Sequence, residues 1–179
     1  MGINKSLKAF FLDRDGVLNK SIIINGKPFP PKNIKELVIP SGVKETLSRL
    51  KKLGYLLIMI TNQPDVATGK TSLKTVNEIN NYLIKQLFLD DVYCCIHENK
   101  DNCGCRKPKI GMVTEATKKW NIDLENSYLV GDRWKDIQTG INVGLKTFLI
   151  DYNYDEKYVK PNYRLKKFDD ILNVINFIK

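Results

Sequence analysis

The chain has no unbroken apolar stretch longer than Tyr55 to Ile60, far short of the roughly 20 residues that a membrane-spanning helix needs. It also lacks an internal repeat, a low-complexity tract and an obvious linker, so residues 1–179 read as one domain. The first twelve residues do not have the form of a signal peptide, because their apolar stretch ends at once in Asp13, Arg14 and Asp15. The expected location is cytoplasmic. Met1 to Ser6 match a myristoylation pattern, but a strand is expected to begin almost immediately afterwards, and the match reads as chance. Cysteine is scarce and confined: all four residues fall between positions 94 and 105, and the single histidine, His97, lies among them. A disulfide framework would spread its cysteines along the chain, and a reducing compartment would keep them as thiols. Clustering with the only histidine points to a metal instead.

What is present is an ordinary globular mixture, 42% hydrophobic and 27% charged, long enough for a core that hides roughly 70% of the unfolded surface. Lysine and arginine number 29 against 20 acidic residues, a net charge of +9. That balance suits an anionic partner such as a phosphate ester, nucleic acid or a membrane surface. The excess is spread along the chain, with a mild concentration at Lys157, Lys160, Arg164, Lys166 and Lys167, which reads as a solvated basic surface.

Short apolar runs alternate with helical periodicity. Strands are predicted over Lys8 to Leu12, Tyr55 to Thr61, Asp91 to Ile96, Ser127 to Gly131 and Lys146 to Ile150. Helices are predicted after Ser41 as cap (Val43, Leu47 and Leu50 inward, Gly54 as stop), over Ser72 to Leu89 (Leu73, Val76, Ile79, Leu83 and Leu87 inward), Met112 to Trp120, Asp136 to Val143 and Phe168 to Ile178. Residues 16–40, broken by Gly26 and four prolines, read as irregular. The alternation implies an α/β fold: a doubly wound, mostly parallel, Rossmann-like sheet with helices on both faces. Such sheets bind ligands beyond the C-terminal ends of their strands, where this chain keeps its unusual residues.

Asp13-Arg14-Asp15-Gly16 follows the first strand; alternation places Asp13 and Asp15 on one side and turns Arg14 away. Two carboxylates so close repel unless a cation neutralises them, and a hard ion such as Mg²⁺ suits carboxylates plus phosphate oxygens. Thr61-Asn62-Gln63 ends the second strand with a hydroxyl and an amide able to donate to phosphoryl oxygens. Arg106-Lys107-Pro108 precedes a helix and can bring an ammonium to a phosphate. Gly131-Asp132-Arg133 ends the fourth strand, with Asp136 one helical turn on. Each segment alone is equally well a charged turn, ordinary turn chemistry, a surface lysine or a helix cap.

Together and in this order, the four segments resemble the haloacid dehalogenase superfamily of phosphatases. The Cys/His loop resembles that of its capless, zinc-bearing branch, which acts on heptose bisphosphates and histidinol phosphate. The segments that carry the likeness are Phe11 to Asn19, Thr61-Asn62-Gln63, Cys103 to Pro108 with Gly111-Met112, and Gly131-Asp132-Arg133. The resemblance implies that Asp13 is the nucleophile and Asp15 the general acid and base. It implies Mg²⁺ at Asp13, Asp15 (through its backbone carbonyl) and Asp132, with Asp136 nearby. Thr61 and Lys107 would stabilise the phosphoryl oxygens, with Asn62 beside them, and Arg106 and Arg133 would contact the rest of the substrate or a second phosphate. Cys95, His97, Cys103 and Cys105 make a closed set for a structural Zn²⁺; Cys94 points the other way along its strand and is left out. The stretch from Asp13 to Thr61 has no room for a cap domain, so specificity is expected from the proline-rich loop 20–33 and the metal loop. The chain departs from the branch at Pro64-Asp65-Val66 and Arg133-Trp134, both on the rim.

The implied substrate is a small phosphorylated sugar, a heptose 1,7-bisphosphate, with histidinol phosphate or a 3′-phosphorylated nucleic acid end as alternatives. The chain is expected to act as a monomer without membrane contact and without nucleic acid as partner. A different class is a silent zinc and nucleic-acid-binding module; the acidic set argues against it, and steep salt dependence of binding would reveal it.

Overall fold

The computed structural model describes residues 6–177. Met1 to Lys5, with most of the myristoylation pattern, and Ile178, the predicted end of the last helix, lie outside the described residues. Strand β1 (Lys8–Leu12) leads into a hairpin of β2 (Ile22–Ile24) and β3 (Lys27–Phe29), then to a 3₁₀ turn and helix α1 (Val43–Lys52). Strand β4 (Tyr55–Asn62), α2 (Leu73–Leu87), β5 (Asp91–Cys95) and α3 (Gly111–Trp120) follow. Then come β6 (Tyr128–Gly131), α4 (Trp134–Asn142), β7 (Lys146–Ile150), β8 (Tyr163–Leu165) and α5 (Asp170–Phe177).

Six strands form one sheet in the order β5-β4-β1-β6-β7-β8, and every neighbouring pair is parallel. β1 is central because its side chains are apolar on both faces. Phe10 and Leu12 join the core under α1, α2 and α5, while Ala9 and Phe11 join the second core under α3. Phe10 stacks on Tyr128 at 4.9 Å between ring centroids and meets Tyr55 edge-on at the same distance, contacts worth about 0.5–1.5 kcal/mol each beyond burial. Helix α4 seats closely on β6 and β7: a Cβ at Gly140 would stand 2.3 Å from the Thr147 methyl. From β1 the chain runs outward through β4 to β5, then returns to β6 on the other side of β1. That reversal leaves a crevice at the C-terminal end of β1, the standard ligand position in such sheets.

The parallel, two-faced sheet is as expected, and several local expectations are corrected. Residues 16–40 are not wholly irregular, since Ile22 to Phe29 make an antiparallel hairpin. Its turn is Asn25-Gly26 with both φ values positive, 50° and 73°, the backbone that Asn-Gly accepts most readily and that matches strand twist. Helix α1 starts after Gly42 with no side-chain cap, so Ser41 does not cap it. Ser72 does cap α2, its hydroxyl accepting from the Thr75 amide at 3.0 Å. Leu73, one residue later, remains 47% exposed because the inward face starts at Val76. Helix α4 begins at Trp134, with Asp136 as its N-terminal acceptor rather than its first residue. β8, three residues in a basic stretch, has no periodic signal of its own. Between Asp13 and Thr61 the described chain holds only the hairpin, the 3₁₀ turn, α1 and most of β4. No described helix is long and apolar enough to cross a membrane.

Candidate active site

A cleft of about 270 Å³ opens beyond the ends of β1, β4 and β6. Its floor holds Asp13, Lys107, Asp132 and Asp136, and the hairpin contributes Pro28, Phe29 and Pro30 to one wall. Asp13 follows the last residue of β1, and its amide donates to the carbonyl of Val130 on β6 at 3.0 Å. Lys107, only 3% exposed, places Nζ 2.7 Å from Asp13 Oδ1, 2.5 Å from Asp136 Oδ1 and 2.9 Å from the Ile60 carbonyl. Asn62 fixes the backbone of Lys107 from β4, accepting from its amide at 3.1 Å and donating to its carbonyl at 3.2 Å. Both ends of that amide are therefore spent on holding the lysine.

Two glycines let the acidic residues approach. Gly16 has φ +87°, and a Cβ there would lie 2.0 Å from Asp132 Oδ2. At Gly131 a Cβ would lie 2.1 Å from that of Asp136. Carboxylate oxygens of Asp13, Asp132 and Asp136 all come within 4.8 Å of one another, and the three residues are buried. Burial raises Asp13 to about 7, with Asp136 adding to the rise and Lys107 opposing it. Asp132 is held well above the usual carboxylate range by burial and then by Asp13 and Asp136. Burial works against the charge of Lys107, but Asp13 and Asp136 outweigh it and hold the ammonium above its ordinary range. One ammonium thus faces three carboxylates, and the buried Oδ1 of Asp132 has no hydrogen-bond partner among the described residues. A further hard cation fits this donor set.

Asp15 lines the same cleft, but its carboxylate is not part of this group. Arg14 grips it through Nε at 3.2 Å and Nη2 at 3.0 Å, Asn19 donates at 3.0 Å and Gln63 at 2.7 Å. Arg14 was expected to point away from Asp15. It is instead fully buried beneath it, with Nη1 donating to Asn80 of α2 at 3.0 Å. Alternation fails here because β1 ends at Leu12 and the chain turns at once, the amides of Val17, Leu18 and Asn19 all directed at the Arg14 carbonyl. Thr61, buried at the end of β4, accepts from Gln63 Nε2 at 2.8 Å. Motif reading left Arg14, Asn19, Gln63 and Asn80 without roles. The available signal was Asn80, a polar residue between Ile79 and Leu83 on the apolar face of α2, which needs a buried partner.

Beside β4, the amide of Gln63 donates to the Cys95 carbonyl at 2.7 Å, and there the Cys/His loop begins. Cys95, His97, Cys103 and Cys105 bring their ligand atoms within 4.8 Å of one another. Cys95 Sγ lies 3.6 Å from Cys103 Sγ and 3.7 Å from His97 Nδ1; Cys105 Sγ lies 3.5 and 3.4 Å from the same two atoms. Tetrahedral zinc with bonds of about 2.3 Å to sulfur and 2.0–2.1 Å to nitrogen implies edges of about 3.6–3.8 Å, so the group fits a closed four-ligand site. Cys94, paired in register with Thr61, stays outside it.

Arg106 leaves this loop towards the cleft, with Nε on Asn99 at 2.8 Å and Nη1 on the His97 carbonyl at 3.1 Å. Arg133 also lines the cleft, its Nε 2.6 Å from Glu156. Lys135 joins them; burial and then the nearby Arg106 and Arg133 pull it below the usual ammonium range.

This geometry has counterparts among known proteins. Residues 8–140 match the family model described as polynucleotide kinase 3 phosphatase. The chain is 34% identical over 176 residues to a D-glycero-beta-D-manno-heptose-1,7-bisphosphate 7-phosphatase of Helicobacter pylori, covering 94% of this chain and 97% of that one. It is 30% identical to the D-glycero-alpha-D-manno-heptose-1,7-bisphosphate 7-phosphatase of Campylobacter jejuni, covering 96% of each. A crystal structure of D,D-heptose 1,7-bisphosphate phosphatase from B. bronchiseptica, complexed with magnesium and phosphate, shares the fold with a TM-score of 0.80. Its identity is 23%, and the match covers 97% of this chain and all of that one. The sheet, the placement of the four motifs and these matches make the chain a phosphatase of the haloacid dehalogenase superfamily, belonging to the polynucleotide kinase 3 phosphatase family.

Proposed function

We propose that this enzyme removes the 7-phosphate from D-glycero-D-manno-heptose 1,7-bisphosphate through an aspartyl-phosphate on Asp13, with Mg²⁺ in the cleft. The observation that carries the proposal is the floor of the cleft. Asp13 is anchored 2.7 Å from the Lys107 ammonium, among carboxylates whose buried Asp132 oxygen lacks a partner. The curated relatives support the substrate; they divide between the alpha and beta anomers, so the anomer is left to experiment.

In the first step an Asp13 oxygen bonds to phosphorus as the bond from phosphorus to the sugar oxygen breaks, and Asp15 gives that oxygen its proton. In the second, Asp15 takes a proton from water, the water oxygen bonds to phosphorus, and the bond to Asp13 breaks to release phosphate. Lys107 and Thr61 hold the equatorial oxygens, and Arg14, Asn19 and Gln63 fix the orientation of Asp15. Mg²⁺ would be held by Asp13 and Asp132, with Asp136 beside them and the backbone carbonyl of Asp15, and would neutralise the gathering negative charge. Zn²⁺ at Cys95, His97, Cys103 and Cys105 would be structural, since four protein ligands leave no open position.

A 3′-phosphorylated nucleic acid end is the second reading, favoured by the description of the family model and the charge of +9. The deciding experiment is Mg²⁺-dependent phosphate release from both heptose anomers, histidinol phosphate and a 3′-phosphorylated oligonucleotide, with Asp13→Asn as control. Preference for a heptose anomer is expected. Turnover of the oligonucleotide alone would replace the sugar assignment.

A further inference from the structure

Past β7 the chain runs over residues 151–162 without regular structure, outside all four motifs. Three of its side chains nevertheless reach back to the turns that carry the carboxylates. The Tyr152 hydroxyl donates to the Gly16 carbonyl at 3.1 Å. The centre of the Tyr154 ring lies 5.6 Å from the Arg133 guanidinium carbon. Glu156 accepts twice from the turn between β6 and α4, from Arg133 Nε at 2.6 Å and from the Trp134 amide at 2.6 Å. Tyr154 and Glu156 are half-buried between exposed neighbours, so the segment turns these two inward.

Glu156 does two things at once. The first amides of a helix have no partner within its backbone. At α4 side chains take them, Asp136 Oδ2 accepting from Arg133 at 3.1 Å and Glu156 from Trp134. A carboxylate there also meets the positive end of the helix dipole. The second task is Arg133 itself. It is clamped at Nε by Glu156 and on one face by Tyr154, while its Nη1 and Nη2 have no acceptor among the described residues. An arginine held in this way on the cleft wall gives up little rotamer freedom when it meets a substrate oxygen.

We propose that Glu156 is a positioning residue of the active site: it presents Arg133 to the substrate with both outer nitrogens free, and so sets affinity without touching a reacting atom. This rests on the sugar-phosphate reading above. Arg133 and Trp134 are the rim residues at which the chain departs from its branch, and Glu156 is the one carboxylate that holds both.

The test is a double-mutant cycle on heptose 1,7-bisphosphate with the wild type, Glu156→Gln, Arg133→Ala and the double variant, with Tm recorded for each. Glu156→Gln keeps the size of the side chain and removes the charge that pairs with Nε. KM should rise about fivefold, with kcat held within about twofold. In the Arg133→Ala background the same substitution should change KM by less than about twofold, because residues that act as one unit are not additive. Tyr154→Leu frees the face of Arg133 and leaves the helix start alone; it should raise KM about threefold, again only where Arg133 is present, and it carries the test if Glu156→Gln does not fold. An equal rise in KM with and without Arg133 overturns the proposal and makes Glu156 a helix cap only, and so does an unchanged KM in Glu156→Gln. A wild type that cleaves a 3′-phosphorylated oligonucleotide and no heptose ester removes the sugar reading instead, and the same cycle on the oligonucleotide then decides Glu156 by the same criterion.

Discussion

Two metal-capable clusters lie on the same side of the sheet and are built in opposite ways. The carboxylate cluster draws on two distant places in the chain, the end of β1 and the turn from β6 into α4, and all its members are buried. The Cys/His cluster comes from one short stretch, residues 95–105, and only Cys95 is buried. The first is a product of the tertiary fold: strand order positions its carboxylates, and Lys107 partly compensates them without any ion. The second is carried by the end of β5 and a loop with a 3₁₀ turn at Asn99–Asp101, and with His97 exposed and Cys103 and Cys105 half-buried a bound metal would be a larger part of what holds it. On the proposed function, a metal at the carboxylates would serve chemistry on a scaffold already standing, whereas a metal at the thiolates would complete the scaffold.

The largest effect that separates the two is Asp13→Asn. Phosphate release should fall by on the order of 10⁴–10⁶-fold with the circular dichroism spectrum unchanged, because the substitution removes the proposed nucleophile and one of three crowded carboxylates. Near wild-type turnover would remove Asp13 from the mechanism. Cys103→Ser acts on the other cluster. It should empty the zinc site, lower Tm by about 5–10 °C and raise KM, because Arg106 rests on the His97 carbonyl and Asn99. An unchanged Tm at verified loss of zinc would show that the loop stands without its ion.

A smaller effect distinguishes the carboxylates by pH. Asp13 is raised to about 7 and Asp132 well above its ordinary range, both chiefly by burial. Folded values above the unfolded ones mean that these groups favour folding only while protonated. The Mg²⁺-free protein should therefore lose a few kcal/mol as pH climbs from about 4 to 7. Millimolar Mg²⁺ replaces those protons, so the gain in Tm on adding it should be greater at pH 7.5 than at pH 5. Equal gains at both would place the ion elsewhere.

The clusters also differ in how plainly the sequence announces them. The Cys/His set is legible as spacing alone, since its geometry is local. The candidate catalytic residues are legible as strand ends, because β1 and β4 are apolar runs with abrupt polar termini and helices intervene at the lengths a parallel sheet requires. What escaped reading depends on tertiary contact. The burial of Arg14 follows from Asn80, sixty-six residues on. Asn62 reads as a phosphate donor, yet its amide is consumed by the backbone of Lys107. The hairpin was hidden by prolines that mark breaks in most contexts, while Asn25-Gly26 carried the contrary signal.

Cys94 offers the finest test, because it differs from Cys95 by one position along β5. Successive strand residues face opposite sides of the sheet, and the structure obeys this: Cys95 turns to the metal loop, while Cys94 lies on the side of Asn80 and Arg14, where burial raises its thiol. If side-chain direction decides membership, Cys94→Ala should leave zinc at one per chain, Tm within about 3 °C and turnover within about twofold. Cys95→Ala should lose the metal with the same deletion of one sulfur. A Cys94→Ala protein that lost zinc would mean that the loop recruits whichever thiol is near, and that the closed geometry is imposed by the ion rather than prepared by the strand.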